Sequence, residues 1–154
     1  MGTEFNAHYT SPEVITAMWD AVRQLGFEGG RILEPSAGIG HFLGLMPSEL
    51  AINSRKTAIE LDPISGRILK QLYQNADVRV QGFQDLKGLN NFYDLAISNV
   101  PFGDYQVHDP AYNKLKLSIH NYFITKMLDK VRPGGLVAAI TSSHTMSRRR
   151  IYSW

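Results

Sequence analysis

Cysteine is absent from the 154 residues, which excludes disulfides and thiolate metal sites. Its absence fits a reducing compartment, and a cytoplasmic location is the expectation. No apolar run approaches the length of a bilayer span, and the start has no charged-then-apolar leader. A membrane is therefore not an expected partner. Charge of one sign is also scarce. The 16 Lys+Arg face 14 Asp+Glu, for a net +2, so bulk electrostatics give no argument for nucleic-acid binding. Repeats and low-complexity tracts are missing. What remains is an ordinary globular composition, 44% hydrophobic and 19% charged, at a length that suits one domain.

Periodicity divides the chain into alternating strands and helices. Residues 1–5 carry no pattern and fall outside the expected domain, residues 6–154. Ser11, or Thr10 with Glu13 three residues on, can cap a helix whose first turn accepts Pro12. Val14, Ile15, Met18, Trp19, Val22 and Leu25 recur at helical spacing, and Gly26, Gly29 and Gly30 end the run. Strands are predicted over 31–37, 56–62, 78–82, 93–98 and 136–140. A helix follows Pro63, with Ile64, Ile68, Leu69 and Leu72 as its apolar face. Another follows Ser118, with Ile119, Tyr122, Phe123, Met127 and Val131 inward. Five strands alternating with helices predict a doubly wound, mostly parallel α/β sheet.

Two stretches carry chemistry. The first, residues 31–42, reads R-I-L-E-P-S-A-G-I-G-H-F. Gly38 and Gly40 form a strand-to-helix turn that lets backbone approach a ligand. The position three after Gly40 is Leu43, so the G-x-G-x-x-G dinucleotide fingerprint fails. Glu34 beside the turn disfavours a phosphate and tolerates a cation. The second stretch, residues 94–103, reads D-L-A-I-S-N-V-P-F-G and ends a buried strand on Asn99-Val100-Pro101-Phe102. Between them, Glu60 and Asp62 close the second strand, where an acidic group reaches ribose hydroxyls in a doubly wound sheet. Asp62 reads instead as the cap of the helix opened by Pro63.

E-P-x-x-G-x-G-x-F followed by N-V-P-F resembles the cofactor and catalytic motifs of S-adenosylmethionine-dependent amino-methyltransferases. The DNA adenine-N6 enzymes are the closest match, especially the methyltransferase parts of large helicase–methyltransferase fusions of phages and mobile elements. The resemblance covers about residues 6–150. It implies a Rossmann-like sheet and S-adenosylmethionine held by Glu34, Pro35, Ser36, Gly38, Gly40 and Phe42, with Glu60 on the ribose. The segment His8-Tyr9-Thr10-Ser11-Pro12 resembles the family's Y-T-x-P stretch. That places Tyr9 and Thr10 at the cofactor, beside Thr10's capping alternative. Phe83 aligns with the residue holding adenine, though Gly82 stands where the family has an acid. Gln84 or Asp85 could replace that acid, and Phe83 could equally be a core residue.

In the usual form Asn-Pro-Pro-aromatic, the first proline is Val100 here. The backbone carbonyl that this position supplies is kept, and Pro101 holds Val100 extended. The implied substrate is an adenine flipped from DNA. Asn99 and the Val100 carbonyl would accept from its amine, and Phe102 would stack on it. No metal or general base is implied. His108, Lys114 and Lys116 in the segment after Phe102, and Arg148 in the Arg148-Arg149-Arg150 run, are the candidate DNA contacts. His120 has no assigned role. The family sheet has seven strands and is accompanied by a target-recognition domain. A fragment truncated after the fifth strand is therefore expected, partnered by the rest of a larger protein or a recognition subunit. Self-association through the exposed fifth strand is expected as well. Two alternatives remain: the same fold acting on a protein glutamine or an RNA base, and a module that binds the cofactor without turnover.

Overall fold

The computed structural model describes residues 10–141. Tyr9, His8 and the Arg148–Arg150 run lie outside the described residues. Helix α1 (Pro12–Gln24) starts where Ser11 caps it, Oγ accepting from Val14 N at 3.4 Å. It is followed by β1 (Arg31–Glu34), two short helices α2 (His41–Gly44) and α3 (Ser48–Ile52), and β2 (Arg55–Glu60). Next come α4 (Pro63–Leu72), β3 (Asp77–Val80), β4 (Tyr93–Asn99), α5 (Ile119–Lys130) and β5 (Val131–Ile140). The five strands form one sheet in the order β3-β2-β1-β4-β5, every neighbouring pair parallel. This is the doubly wound α/β architecture expected.

β1, β2 and β4 feed both faces of the sheet. Ile32, Ala58, Leu95 and Ile97 pack with Ile15, Trp19, Val22, Phe42 and Leu69 on one side. Leu33, Ile59 and Ala96 pack with Phe83, Tyr122, Phe123 and Met127 on the other. The alternation is the period-2 geometry of a strand buried on both faces. Trp19 is fully buried, and its indole Nε1 donates to Phe42 O at 3.0 Å, tying α1 to α2.

Several boundaries differ from the sequence reading. β1 stops at Glu34, three residues early, because Pro35 offers no N–H and Ser36 turns its own N–H back to the Glu34 carboxylate. β2 and β3 end at Glu60 and Val80. β5 begins at Val131, opposite Tyr93, and the pairing resumes at Leu136 opposite Leu95 after a register shift. Arg132-Pro133-Gly134-Gly135 is therefore a bulge inside the strand, with Gly134 at φ +81°. The apolar face assigned to α4 is corrected too. Leu69 and Gly66 are buried, whereas Ile64, Ile68 and Leu72 are exposed. Val14 and Leu25 of the first helical pattern are likewise on the solvent side.

Candidate functional site

In this strand order the chain runs outward from β1 to β3, then crosses back to lay β4 on the other side of β1. The crevice above the carboxyl ends of β1 and β4 is the topological switch point, where doubly wound sheets bind ligands. Glu34 ends β1 and Asn99 ends β4. The two strands are joined there: Ser98 Oγ donates to Glu34 Oε1 at 2.5 Å.

Glu34 is 1% exposed, and Oε1 also accepts from Ser36 N at 2.9 Å. Burial pushes its pKa up to about 8, against the lowering effect of the bonds from Ser98 and Ser36, and the Glu60 charge adds to the rise. In the structure it is therefore a neutral acid at pH 7, and a cation brought against it would favour its ionised form.

Glu60 closes β2 and organises the glycine turn. Its Oε2 accepts from Gly38 N at 2.6 Å, and its Oε1 accepts from Asp62 N at 2.9 Å. A carboxylate has about four lone-pair directions, so two remain for further donors. Asp62 takes its capping role, accepting from Ser65 N at 2.8 Å. The two turn glycines differ. Gly38 (φ +59°) has nothing within 4 Å of where a Cβ would stand, whereas a Cβ on Gly40 (φ +95°) would strike Tyr73 and Leu69. Gly38 leaves the surface open, and Gly40 lets the turn seat on α4. Pro35 and Phe42 are buried beneath the turn. Ala37 N bonds to Ile59 O at 2.9 Å and fixes the turn to β2.

On the β4 side, Val100 N donates to Ile140 O at 3.1 Å, and Val100 is 1% exposed. The tetrapeptide thus leaves the sheet only after a last bond to β5. Pro101 is half-buried and Phe102 is exposed. The amide of Asn99 donates from Nδ2 to Thr10 Oγ1 at 2.7 Å. The N-cap of α1 is Ser11, not Thr10, which frees the Thr10 hydroxyl to meet β4.

Phe83 resolves in favour of the core alternative. It is 1% exposed, its ring lies against Phe123 and Tyr122 with centroids at 5.1 and 6.2 Å, and its carbonyl accepts from Lys126. Gln84 is half-buried and Asp85 exposed in the same single turn of 3₁₀ helix. His108, Lys114 and Lys116 are exposed on the connection that leaves Phe102, and His108 Nδ1 lies 3.1 Å from Asn113 Nδ2.

The sequence reading missed what holds that connection. Asp109 is 2% exposed and accepts from Lys126 Nζ and Tyr122 Oη, both at 2.7 Å. Lys126, itself 2% exposed, also donates to Phe83 O at 2.8 Å. Tyr112 donates to Asp129 at 2.6 Å, and Lys130 to Asn90 and Gly88. Burial raises the Asp109 pKa, but the bonds from Lys126 and Tyr122 outweigh it and hold the carboxyl below the ordinary range. Burial likewise pulls Lys126 below the ordinary lysine range, against Asp109. A lysine three positions after Phe123 and one before Met127 on the apolar face of α5 was the available signal.

The donor set is hydrogen-bonding and carboxylate. Among the described residues, no group of three His, Cys, Asp or Glu could hold a metal ion, and no helix is long and apolar enough to cross a membrane.

No protein-family model matches the chain. A curated relative is Defense against restriction protein B of Escherichia phage P1, 30% identical over 161 positions, which span 98% of this chain and 7% of that protein. The chain thus spans about one-fourteenth of that relative's length. Among solved structures, a Listeria monocytogenes protein proposed to be a class I S-adenosylmethionine-dependent methyltransferase superposes with a TM-score of 0.71. The identity is 15%, over 96% of this chain and 50% of the other. TYW2 of Pyrococcus horikoshii, solved in complex with MeSAdo, gives 0.60 at 16% identity, over 94% and 50%. A modification subunit of a proposed type I restriction enzyme from Vibrio vulnificus gives 0.64 at 13% identity, over 90% and 35%. The fold is that of class I methyltransferases.

Proposed function

We propose that the chain is the catalytic core of an S-adenosylmethionine-dependent methyltransferase acting on the N6 amine of adenine in DNA. The observation that carries the reading is the placement of Asn99-Val100-Pro101-Phe102 at the end of β4, across the switch point from Glu34 and the Glu60-held turn. The curated relative's name refers to restriction, and one structural neighbour is a modification subunit. Both fit a DNA substrate.

The chain's polar groups fit the cofactor. Glu34 and Glu60 stand at the ends of adjacent strands with an open Gly38 between them, a surface suited to a cationic ligand with vicinal hydroxyls. The cofactor would supply a methyl group on an electron-poor sulfonium. Glu60 would accept from the ribose hydroxyls, and Glu34 would face the cationic end. Phe83 is left out of the cofactor set.

An exocyclic amine is a poor nucleophile because its lone pair is delocalised into the ring. Asn99 Oδ1 and the Val100 carbonyl would accept its two N–H bonds, localise the lone pair and stabilise the positive charge that grows on nitrogen as the methyl is transferred. Phe102, exposed, would stack on the extruded base. His108, Lys114, Lys116 and Arg148 would meet the phosphates, and further segments of a longer protein would choose the sequence.

The test begins with calorimetric titration of S-adenosylmethionine, then labelled methyl transfer to adenine-containing DNA. Saturable binding and transfer are expected. Asn99→Ala should lower transfer by about 10²–10³-fold with cofactor affinity nearly unchanged. Transfer that survives Asn99→Ala would remove Asn99 from the chemistry.

A further inference from the structure

The connection between Phe102 and α5 folds around a small cleft to which the site described above assigns no role. Buried Tyr112 and Tyr122 and half-buried Val107 and Leu117 line it, with Gln106, Asn113 and Lys116 as its exposed members. Its volume is about 40 Å³. A water-sized group needs about 10–15 Å³, so the cleft holds roughly three such groups and is too small for a base. Most of its polar atoms are already engaged. Tyr112 Oη donates to Asp129 at 2.6 Å, and Tyr122 Oη to Asp109 at 2.7 Å. Asn113 Oδ1 accepts from Asp109 N at 2.9 Å, and its Nδ2 lies 3.1 Å from His108 Nδ1. Among the described residues, the side chains of Gln106 and Lys116 make no hydrogen bond or ion pair. Asp109 is 2% exposed, and Lys126 meets its charge at 2.7 Å. What the cleft has left to offer is an ammonium and an amide, both able to donate.

Lys116 is also held in an unfavourable backbone conformation. It follows the single 3₁₀ turn Asn113–Leu115 at φ +50° and ψ +45°. Residues with a Cβ rarely adopt this left-handed region, and glycine enters it at no steric cost. The backbone therefore gives no reason for a lysine here. We propose that the cleft binds one phosphate of the DNA strand, with Lys116 as its cation and Gln106 as its second donor. The inference rests on the DNA substrate proposed above. It deepens that reading by separating one shaped contact from the general basic character of the segment. Gln106 follows Phe102 by four residues, a reach of at most about 14 Å. The phosphate thus belongs within a few nucleotides of a base stacked on Phe102. Asn113 and the two tyrosines, fixed by their own bonds, shape the cleft before the strand arrives.

The experiment measures binding of a fluorescent oligonucleotide by anisotropy over a range of salt, and needs no turnover. The strand carries a single adenine, which sets its register. Lys116→Gly should weaken binding by about 10-fold at low salt. It should also reduce the slope of log K against log salt by roughly 0.7 on a single strand or 0.9 on a duplex, the share of one phosphate. The urea midpoint should not fall, since glycine suits the left-handed backbone. Gln106→Leu should cost about 3-fold or more at unchanged slope. Methylphosphonate linkages, each removing one charge, are then placed singly along the strand. One linkage should cost the parent about 10-fold, and that same linkage less than about 3-fold in Lys116→Gly. Equal small losses at every linkage, or undiminished sensitivity in Lys116→Gly, would overturn the proposal. Methyl transfer by the parent, with binding and slope untouched by Lys116→Gly, would sink the cleft and leave the reaction standing. Binding that depends on Lys116 and one linkage, without any transfer, would fault the reaction and keep the cleft. A parent that binds no oligonucleotide would overturn both.

Discussion

The two sides of the switch point are held by different physics. On the β1–β2 side, Glu34 and Glu60 bind backbone N–H groups of Ser36, Asp62 and Gly38 and keep acceptor capacity to spare. On the β4–α5 side, Asp109 and Lys126 are closed on each other, on Tyr122 and on Phe83 O, and both are 2% exposed. The first two carboxyl groups stand at the ends of adjacent strands, Glu60 half-buried beside the open Gly38 turn and Glu34 buried. The Asp109–Lys126 pair is used up inside the fold. Buried charge alone therefore does not mark a site here; unused hydrogen-bonding capacity facing the switch point does.

The sharpest way to break the comparison is to remove one member of the closed pair. Lys126→Met leaves Asp109 buried and uncompensated, and should cost about 3–5 kcal/mol of folding stability in urea titration. Adding Asp109→Leu should recover part of that loss. A neutral result for Lys126→Met would mean the pair is not desolvated. Glu60→Ala, on the open side, should act on binding instead. Weakening of S-adenosylmethionine affinity by about 10-fold or more, or roughly 1.4 kcal/mol, is expected in calorimetry while the chain stays folded. Unchanged affinity would remove Glu60 from the cofactor set.

Glu34 gives a smaller effect with a definite sign. Its pKa is raised on folding, to about 8 from 4.5. Between those values the unfolded chain releases a proton that the folded chain keeps. Its contribution to stability is thus complete below pH 4.5, declines as pH rises, and is lost by about pH 8. Glu34→Gln should flatten that part of the stability profile and stabilise the chain by roughly 1 kcal/mol or more at pH 8. A slope unaffected by Glu34→Gln would count against the buried neutral acid. The smallest effect concerns β5, the outermost strand among the described residues, whose residues 135–140 are half-buried. Unpaired strand edges template further pairing. Sedimentation should show weak, concentration-dependent association, and a strictly monomeric profile at high concentration would contradict it.

The comparison also explains what could be read in advance. Ser11 and Asp62 sit beside Pro12 and Pro63, so caps and helix starts are written in adjacent letters. Glu34, Gly38 and Asn99 fall in short contiguous patterns that resemble a known family. The doubly wound parallel sheet also follows from the alternation of strands and helices. Asp109, Tyr122 and Lys126 are different. They lie on a loop and a helix, 13 and 17 residues apart, and periodicity treats a lysine as solvent-facing. Nothing local announces that Lys126 turns inward. Phe83 was ambiguous for the same reason, because the rings that cover it come from α5. On α4 the apolar residues at 64, 68 and 72 are four apart and form a regular stripe, yet the sheet is met by Leu69 and by Gly66, whose missing Cβ admits Val80.

The segment after Asn99 has a further property as a polymer. Val100 is pinned by Ile140 and Asp109 by Lys126 and Tyr122, so residues 101–108 are a short chain grafted at both ends. Such a chain cannot wander far, and the entropy of bringing its ends together has already been lost in folding. A base entering above Asn99 would have only local torsions and side chains such as Phe102, Tyr105 and His108 left to order. The grafting also couples length to position: one residue inserted between 101 and 108 has to be taken up between those two fixed ends.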